Sequence, residues 1–232
     1  MKFNQSLQKG ILEKRYKRFL CDVILPSGER ITAHCPNPGS MLGCSEPGSE
    51  VLLSASSNPR RKLKHTLELI KVASRWVGVN PMRANAIVEE AVAARQIEDL
   101  SVFDHIQREV PYGNNSRIDV LLQQGARKHY IEIKSVTLAD AGFAMFPDAP
   151  TERGRKHLRE LSAMVDQGEL ATLFFLVQRE DTHTFRPAVL IDPAYRDELE
   201  RAVVAGVNIL VYDCKIDENG IRIRKKLNWE MT

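Results

Sequence analysis

Turn formers interrupt this chain every few residues up to Asn80-Pro81 and then thin out, and that change of spacing divides it into two differently built parts. Before the boundary, Phe19 to Leu25, Arg30 to Ala33 and Glu50 to Ser54 are short apolar runs. They are separated by Pro26-Ser27-Gly28, Pro36-Asn37-Pro38-Gly39 and Ser56-Ser57-Asn58-Pro59. Runs of that length between Gly, Pro, Asn and Ser clusters are strand signals, and several in succession close into a small barrel. An OB-like β-barrel over residues 1–80 is the expectation, with Thr66 to Val79 supplying its later strands.

Beyond the boundary the grammar is that of an α/β domain over residues 81–232. Asn80 suits an N-cap, Pro81 a first helical position, and Ile87, Val88, Ala91, Val92 and Ala94 recur at helical spacing. Strands follow at Ile118 to Leu122 and Tyr130 to Val136. Next come a helix from Glu152 to Asp166 capped by Thr151, an apolar strand from Leu170 to Val177, a helix from Pro193 to Ala205 and a strand from Asn208 to Tyr212. Lone strands alternating with helices after an initial hairpin describe a central mixed sheet flanked by helices, α+β overall.

At 232 residues and 43% apolar, the chain can bury a real core. Its first residues mix Lys2, Lys9, Lys14, Arg15, Lys17 and Arg18 with few consecutive apolar ones, which fits neither a signal peptide nor a membrane span, so a cytoplasmic location is expected. Cys21, Cys35, Cys44 and Cys214 form no C-x-x-C pair, which argues against a zinc ribbon or a disulfide scaffold and for reduced thiols. Net charge is +3, but residues 1–75 hold 13 Lys and Arg against 6 Asp and Glu, while the remainder holds 20 against 24.

The segment Arg117-Ile118-Asp119-Val120-Leu121-Leu122, a turn containing Gly125, and Tyr130-Ile131-Glu132-Ile133-Lys134-Ser135 carries the most chemistry. Alternation puts Ile131 and Ile133 on one face of the strand, and Glu132 and Lys134 on the other. If the strands pair as a hairpin, Asp119 approaches Glu132 in a small polar pocket at the sheet's edge. Two carboxylates suit Mg²⁺ (or Mn²⁺), which keeps waters and leaves room for a phosphate oxygen, and Lys134 could orient the attacking water or neutralise developing charge. The same spacing also describes the wet face of an amphipathic hairpin.

The basic surplus of the first part gathers in Lys14-Arg15-Tyr16-Lys17-Arg18-Phe19 and in Arg60-Arg61-Lys62-Leu63-Lys64. Basic side chains interleaved with Tyr16 and Phe19 suit a DNA or RNA strand, with Arg15, Lys17, Arg18, Arg60, Arg61, Lys62 and Lys64 as contacts; a solvated basic surface is the alternative. Arg153 and His157 lie one turn apart at a helix start rich in basic residues, a phosphate-binding arrangement or a capped surface helix laced by Glu152–Lys156 and Lys156–Glu160 pairs. His34 and Asn37 could line a pocket or serve the Pro-rich turn.

Arg15-Tyr16-Lys17-Arg18-Phe19-Leu20, His34-Cys35-Pro36-Asn37 with Gly39, Tyr112-Gly113, Ser116-Arg117-Ile118-Asp119, Tyr130 through Leu138, Phe146-Pro147-Asp148-Ala149, Thr151-Glu152-Arg153-Gly154 and Lys156-His157-Leu158 span nearly the whole chain. Together they resemble the sugar fermentation stimulation protein family, whose C-terminal domain is similar to PD-(D/E)xK restriction-endonuclease-like nucleases. The resemblance implies an N-terminal OB-like domain, DNA binding of little sequence preference and a regulatory link to sugar (maltose) utilisation. Ile118 stands where the name-giving Pro of the nuclease motif would be. Such nucleases often add an acidic residue from the helix before the hairpin, and within Asn85 to Glu90 the choice falls on Glu90. The expected catalytic set is Asp119, Glu132, Lys134 and Glu90, with Asp119, Glu132 and Ile133 on the metal. The rivals are a non-catalytic DNA-binding regulator retaining the scaffold, and a saccharide site around His34 and Asn37.

Overall fold

The structure, a computed structural model, describes residues 1–113 and 116–232. Strands β1 (Gln8–Tyr16), β2 (Leu20–Ile24) and β3 (Arg30–His34) form an antiparallel meander. A bulge between Leu12 and Lys14 bends β1, so that its first half pairs with β4 (Glu50–Ala55) while its second half pairs with β2. β5 (His65–Val72) lies antiparallel to β4 and meets β3 at His34 and Thr66, which closes a five-stranded barrel. Leu12, Val23, Val51, Leu53, Leu67 and Ile70 fill it, with Cys21, Cys35 and Cys44 among them. All four cysteines carry buried free thiols, and burial pushes that of Cys21 up to about 12, as for inert packing groups.

β6 (Arg75–Gly78) pairs with β5 and delivers the chain to the second domain. Asn80 caps a 3₁₀ turn over Pro81–Arg83, its Oδ1 accepting from the Met82 amide at 3.1 Å, and α1 (Ala84–Ala93) follows. The helix thus begins three residues later than Pro81 alone predicts. Behind it come β7 (His105–Tyr112), β8 (Ser116–Gln124), β9 (Arg127–Val136), β10 (Leu138–Asp140) and β11 (Phe143–Phe146). The remaining elements are α2 (Glu152–Asp166), β12 (Leu170–Val177), β13 (Thr184–Pro187), α3 (Pro193–Val204), β14 (Asn208–Asp217), β15 (Gly220–Lys226) and β16 (Asn228–Trp229).

The main sheet runs β15-β14-β12-β9-β8-β7, parallel through β9, β12 and β14 and antiparallel at both margins. β12 reads as an apolar run interrupted only by the buried Thr172, because both faces of its strand are covered. Phe174 joins Ile87, Val88 and Val92 of α1 on one face, while Phe175 packs with Leu158, Leu161 and Leu199 of α2 and α3 on the other. Leu52 and Leu69, on the outside of the barrel, belong to the α1 cluster, so the two domains share a core. Thr151 Oγ1 caps α2 through the Gly154 amide at 3.0 Å, as the sequence predicts. A smaller sheet, β10-β11-β13-β16, stands beside the large one. Among the described residues no helix is long and apolar enough to cross a membrane.

Phe175 is fully buried and stacks on Phe185 with ring centroids 4.1 Å apart. Phe175→Ala is expected to cost about 3–5 kcal/mol in chemical denaturation, through lost burial and the cavity left behind.

Candidate active site between the two domains

β8 and β9 pair from Gln124 and Arg127 to Val120 and Ile131, and there the ladder stops. The next residue on β8 is Asp119. Its Oδ2 accepts the Ile133 amide at 2.7 Å, so a side chain replaces the main-chain partner while the strands part. Oδ1 accepts from Asn85 Nδ2 of α1, also at 2.7 Å. The same amide lies 3.4 Å from Glu109 Oε1, a carboxylate that sequence reasoning misses because β7 buries few positions and so carries little strand signal. The expected hairpin forms, but with β7 outside β8 the site lies within the sheet and not at its edge.

Glu132, on β9, is 3% exposed. Lys134 Nζ reaches its Oε1 at 2.7 Å, as strand alternation requires, and His157 Nδ1 of α2 makes a short contact with the same oxygen. Arg153 Nε donates to His157 Nε2 at 3.3 Å, and since a guanidinium can only donate, Nε2 accepts and Nδ1 carries the proton toward Glu132. The 3.2 Å approach of Lys134 Nζ to Nδ1 is then two donors converging on one acceptor. His157 therefore orients a carboxylate and is 5% exposed, too buried for the open phosphate-contact role that its helical position predicted. Arg153 is exposed beside it, and Lys134 is largely buried.

Charges in this cluster are strongly coupled. Burial, and then the Glu132 charge, push the Asp119 carboxyl up to about 6. Burial acts on Glu132 in the same direction, but Lys134 and His157 outweigh it and hold that group below the ordinary glutamate range. Glu132 Oε2 is buried with no hydrogen-bond partner. An orphaned carboxylate oxygen beside a second carboxylate whose charge it disfavours is the electrostatic setting that a divalent cation relieves. Among the described residues no three His, Cys, Asp or Glu side chains converge as a metal cage. A cation here would rest on Asp119, Glu132, the Ile133 carbonyl and water, a donor set that suits Mg²⁺.

These groups line a cleft of about 480 Å³ whose other wall is the barrel, through Arg18, Asn37 and Gly39. Asp148 latches the two walls together: its Oδ2 accepts from the Met41 amide at 3.0 Å, and its main-chain oxygen accepts from Ser40 Oγ at 2.7 Å. A Cβ on Gly39 would stand 2.3 Å from Asp148 Oδ2, so only glycine lets the loop sit this close. Arg15 braces that loop by donating to the carbonyls of Asn37, Gly39 and Ser40 at 3.0, 2.8 and 2.9 Å. Arg15 is thereby a loop clamp and not the free nucleic-acid contact predicted for it.

Other expectations part company with the coordinates. Glu90 is 62% exposed and pairs with the Met1 ammonium at 2.8 Å, which itself donates to Ile221 of β15. It therefore sits toward the far side of the sheet from Asp119; Asn85 is the α1 residue that reaches the site, and adjacent glutamates in a helix cannot both share its face. His34 and Asn37 line different clefts, Asn37 the one above and His34 a second one behind it, because the strand ends between them. Asn37 Oδ1 serves the turn by accepting the Gly39 amide at 2.8 Å. Tyr16 is engaged by Asp22 at 3.1 Å, whereas Phe19, Lys17, Arg18, Arg60, Lys62 and Lys64 are exposed and Arg61 half-buried. Arg155 and Arg159 take the Glu152 carboxylate in place of the expected Lys156, while Lys156 and Glu160 do pair at 3.6 Å.

The model of the "SfsA N-terminal OB domain" matches residues 14–79, and that of the "Sugar fermentation stimulation protein RE domain" matches residues 82–220. The chain belongs to the sugar fermentation stimulation protein family. A sugar fermentation stimulation protein homolog from Pseudoalteromonas atlantica is 49% identical over 230 residues, covering 98% of each chain. One from Geobacter sulfurreducens is 47% identical over 223 residues, covering 96% of each. Among solved structures, SfsA of Pyrococcus furiosus in complex with Ca²⁺ superposes with a TM-score of 0.89 at 24% identity, covering 99% of this chain and 98% of that one. The two family models meet where β6 gives way to the 3₁₀ turn, so the cleft lies along the joint between the family's two domains.

Because the folded pKa of Asp119, about 6, lies above the ordinary aspartate value of 3.8, ionisation opposes folding. The penalty is absent below pH 4 and complete above pH 6. In chelator, Asp119→Asn is expected to be more stable than the parent protein at pH 8 by on the order of 2–3 kcal/mol, and the difference should vanish near pH 4 in paired denaturation curves. An amide at 119 can still accept from Ile133, with the Asn85 amide turned over to offer its oxygen.

Proposed function

We propose that the protein is a divalent-metal-dependent phosphodiesterase acting on DNA or RNA with little sequence preference, working within the regulation of sugar (maltose) utilisation. The observation that carries the reading is Glu132: buried, tied at one oxygen to Lys134 and His157, and left with its second oxygen unpartnered beside Asp119 in an open cleft. Bound Mg²⁺ or Mn²⁺ would supply charge neutralisation at the scissile phosphate and an activated water. The Lys134 ammonium, lining the same cleft, would neutralise negative charge developing on the phosphorus oxygens. Arg153, exposed at the positive end of the α2 dipole and lining the same cleft, orients the phosphate. His157 keeps Glu132 aimed by holding the oxygen that is not needed. The Ca²⁺ complex of the Pyrococcus furiosus relative is in keeping with an oxygen-seeking dication. The relatives' shared name supports the link to sugar fermentation.

A second reading, binding without cleavage, is favoured by one observation: the α1 residue that reaches Asp119 is Asn85, a neutral amide where similar nucleases often place an acid. One incubation series separates the two. Single- and double-stranded DNA and RNA are treated with the purified protein in Mg²⁺, Mn²⁺ or chelator. Cleavage should require the metal, and Glu132→Gln should lower its rate by about 10²–10³-fold while binding to labelled strands persists. Metal-independent cleavage, or unchanged cleavage by Glu132→Gln, would remove the catalytic reading; salt-sensitive binding with no cleavage would establish the second.

A further inference from the structure

Behind the cleft that holds Glu132 lies another, of about 670 Å³, between the barrel, the N-terminal segment and the start of α1. The wall between them is thin. Pro36 lines the second cleft and Asn37 the first; Asn80 and Met82 line the second and Pro81 the first. Consecutive Cα atoms are only about 3.8 Å apart, so at both points a single thickness of backbone separates the two clefts.

The chemistry of the second cleft is that of a phosphate-bearing strand. Arg61, in the loop between β4 and β5, donates to Thr66 Oγ1 at 2.8 Å through one nitrogen, which fixes its guanidinium at the rim. Lys2 also lines the cleft. The single carboxylate among the lining residues, Glu68, is 1% exposed and fully engaged. It accepts from Ser54 at 2.7 Å, Asn80 at 2.8 Å, and Arg83 at 3.0 and 2.6 Å, so its charge is cancelled where it stands. What the cleft offers a ligand is cation, hydroxyl and amide, together with the His34 ring. That ring is half-buried, and burial, then the nearby Arg61 charge, lower its pKa and favour the neutral form. A neutral imidazole can meet a base by stacking or by hydrogen bonding. The exposed Arg60, Lys62 and Lys64 continue the same positive loop outward.

We infer that the second cleft is a subsite for the nucleotides flanking the scissile phosphodiester, so that one single strand lies over the Pro36 and Pro81 ridge with a foot in each cleft. This rests on the nucleic-acid reading of the first cleft and adds to it a second point of contact along the strand. Arg18 in the loop between β1 and β2 then meets the strand near the chemistry, and Arg61 meets it one or more nucleotides away. The two basic runs, which look redundant in the sequence, would serve different steps along one path.

The test uses fluorescein-labelled oligothymidylates of about 4 and about 16 nucleotides, the range of strand lengths that single barrels of this kind accommodate. Anisotropy is measured in chelator, so cleavage does not enter. Arg61→Ala, which removes the cation, and Ser57→Glu, which puts a negative charge into the same cleft from an exposed loop position, are compared with the parent protein. Thermal melts identify a variant that has lost its fold, and the other then carries the result. Expected is an about tenfold fall in the affinity advantage of the long strand over the short one in each variant. For Arg61→Ala, the salt slope of the long strand should also become shallower by about 0.7. An unchanged advantage, or equal weakening of both lengths, overturns the subsite, and binding of the short strand by the parent protein keeps the reading of the first cleft. Failure of the parent protein to bind either length overturns the subsite and the nucleic-acid reading together.

Discussion

The arrangement of the site follows from one hydrogen bond, that from the Ile133 amide to Asp119 Oδ2. A strand interior needs its N–H groups satisfied, and the ordinary partner is the carbonyl of the neighbouring strand. Where Asp119 takes that bond with its side chain, the two strands can separate without leaving a buried donor unpaired. The opening between β8 and β9 brings Asp119 and Glu132 within electrostatic range of one another, close enough that Glu132 raises the Asp119 pKa. Low pKa for one carboxyl and high for the other is the natural outcome when two such groups share one desolvated spot and Lys134 and His157 bond directly to only one of them.

The second determinant is the packing of the barrel against the sheet domain. Leu52 and Leu69 extend the α1 core into the barrel wall, Glu68 draws Asn80 and Arg83 onto β5, and Asp148 holds the Ser40 and Met41 loop. None of these contacts involves a group proposed for the chemistry. They decide how the cleft over Asp119 and Glu132 is enclosed.

Much of this was legible in the residues themselves. The barrel, the helix over Glu152–Asp166, the buried strand Leu170–Val177 and the shared face of Glu132 and Lys134 all follow from local periodicity and turn chemistry, which a single sequence displays directly. What escaped notice lacked such a signal. β7 is mostly solvent-facing and alternates weakly, β10, β11, β13 and β16 are two to four residues long, and β15 carries Arg and Lys on its open side. The choice of Glu90 failed for a different reason: the helix was found, but its rotation about its own axis depends on tertiary packing, and Asn85 faces inward instead. Likewise, Arg15 could be counted as a charge from the sequence, but only the fold shows its guanidinium committed to three loop carbonyls. Spacing shows what a residue can do, and long-range packing decides whether it is free to do it.

The missing side chain at Gly39 has a bearing on the thermodynamics of recognition. Because a carboxylate oxygen of Asp148 occupies the volume a Cβ would need, the barrel loop is seated against the sheet domain in the protein as folded. A cleft with both walls already in place does not have to draw together around whatever enters it. The freedom lost in assembling that enclosure is given up during folding, so a ligand meets a mould whose shape it need not induce.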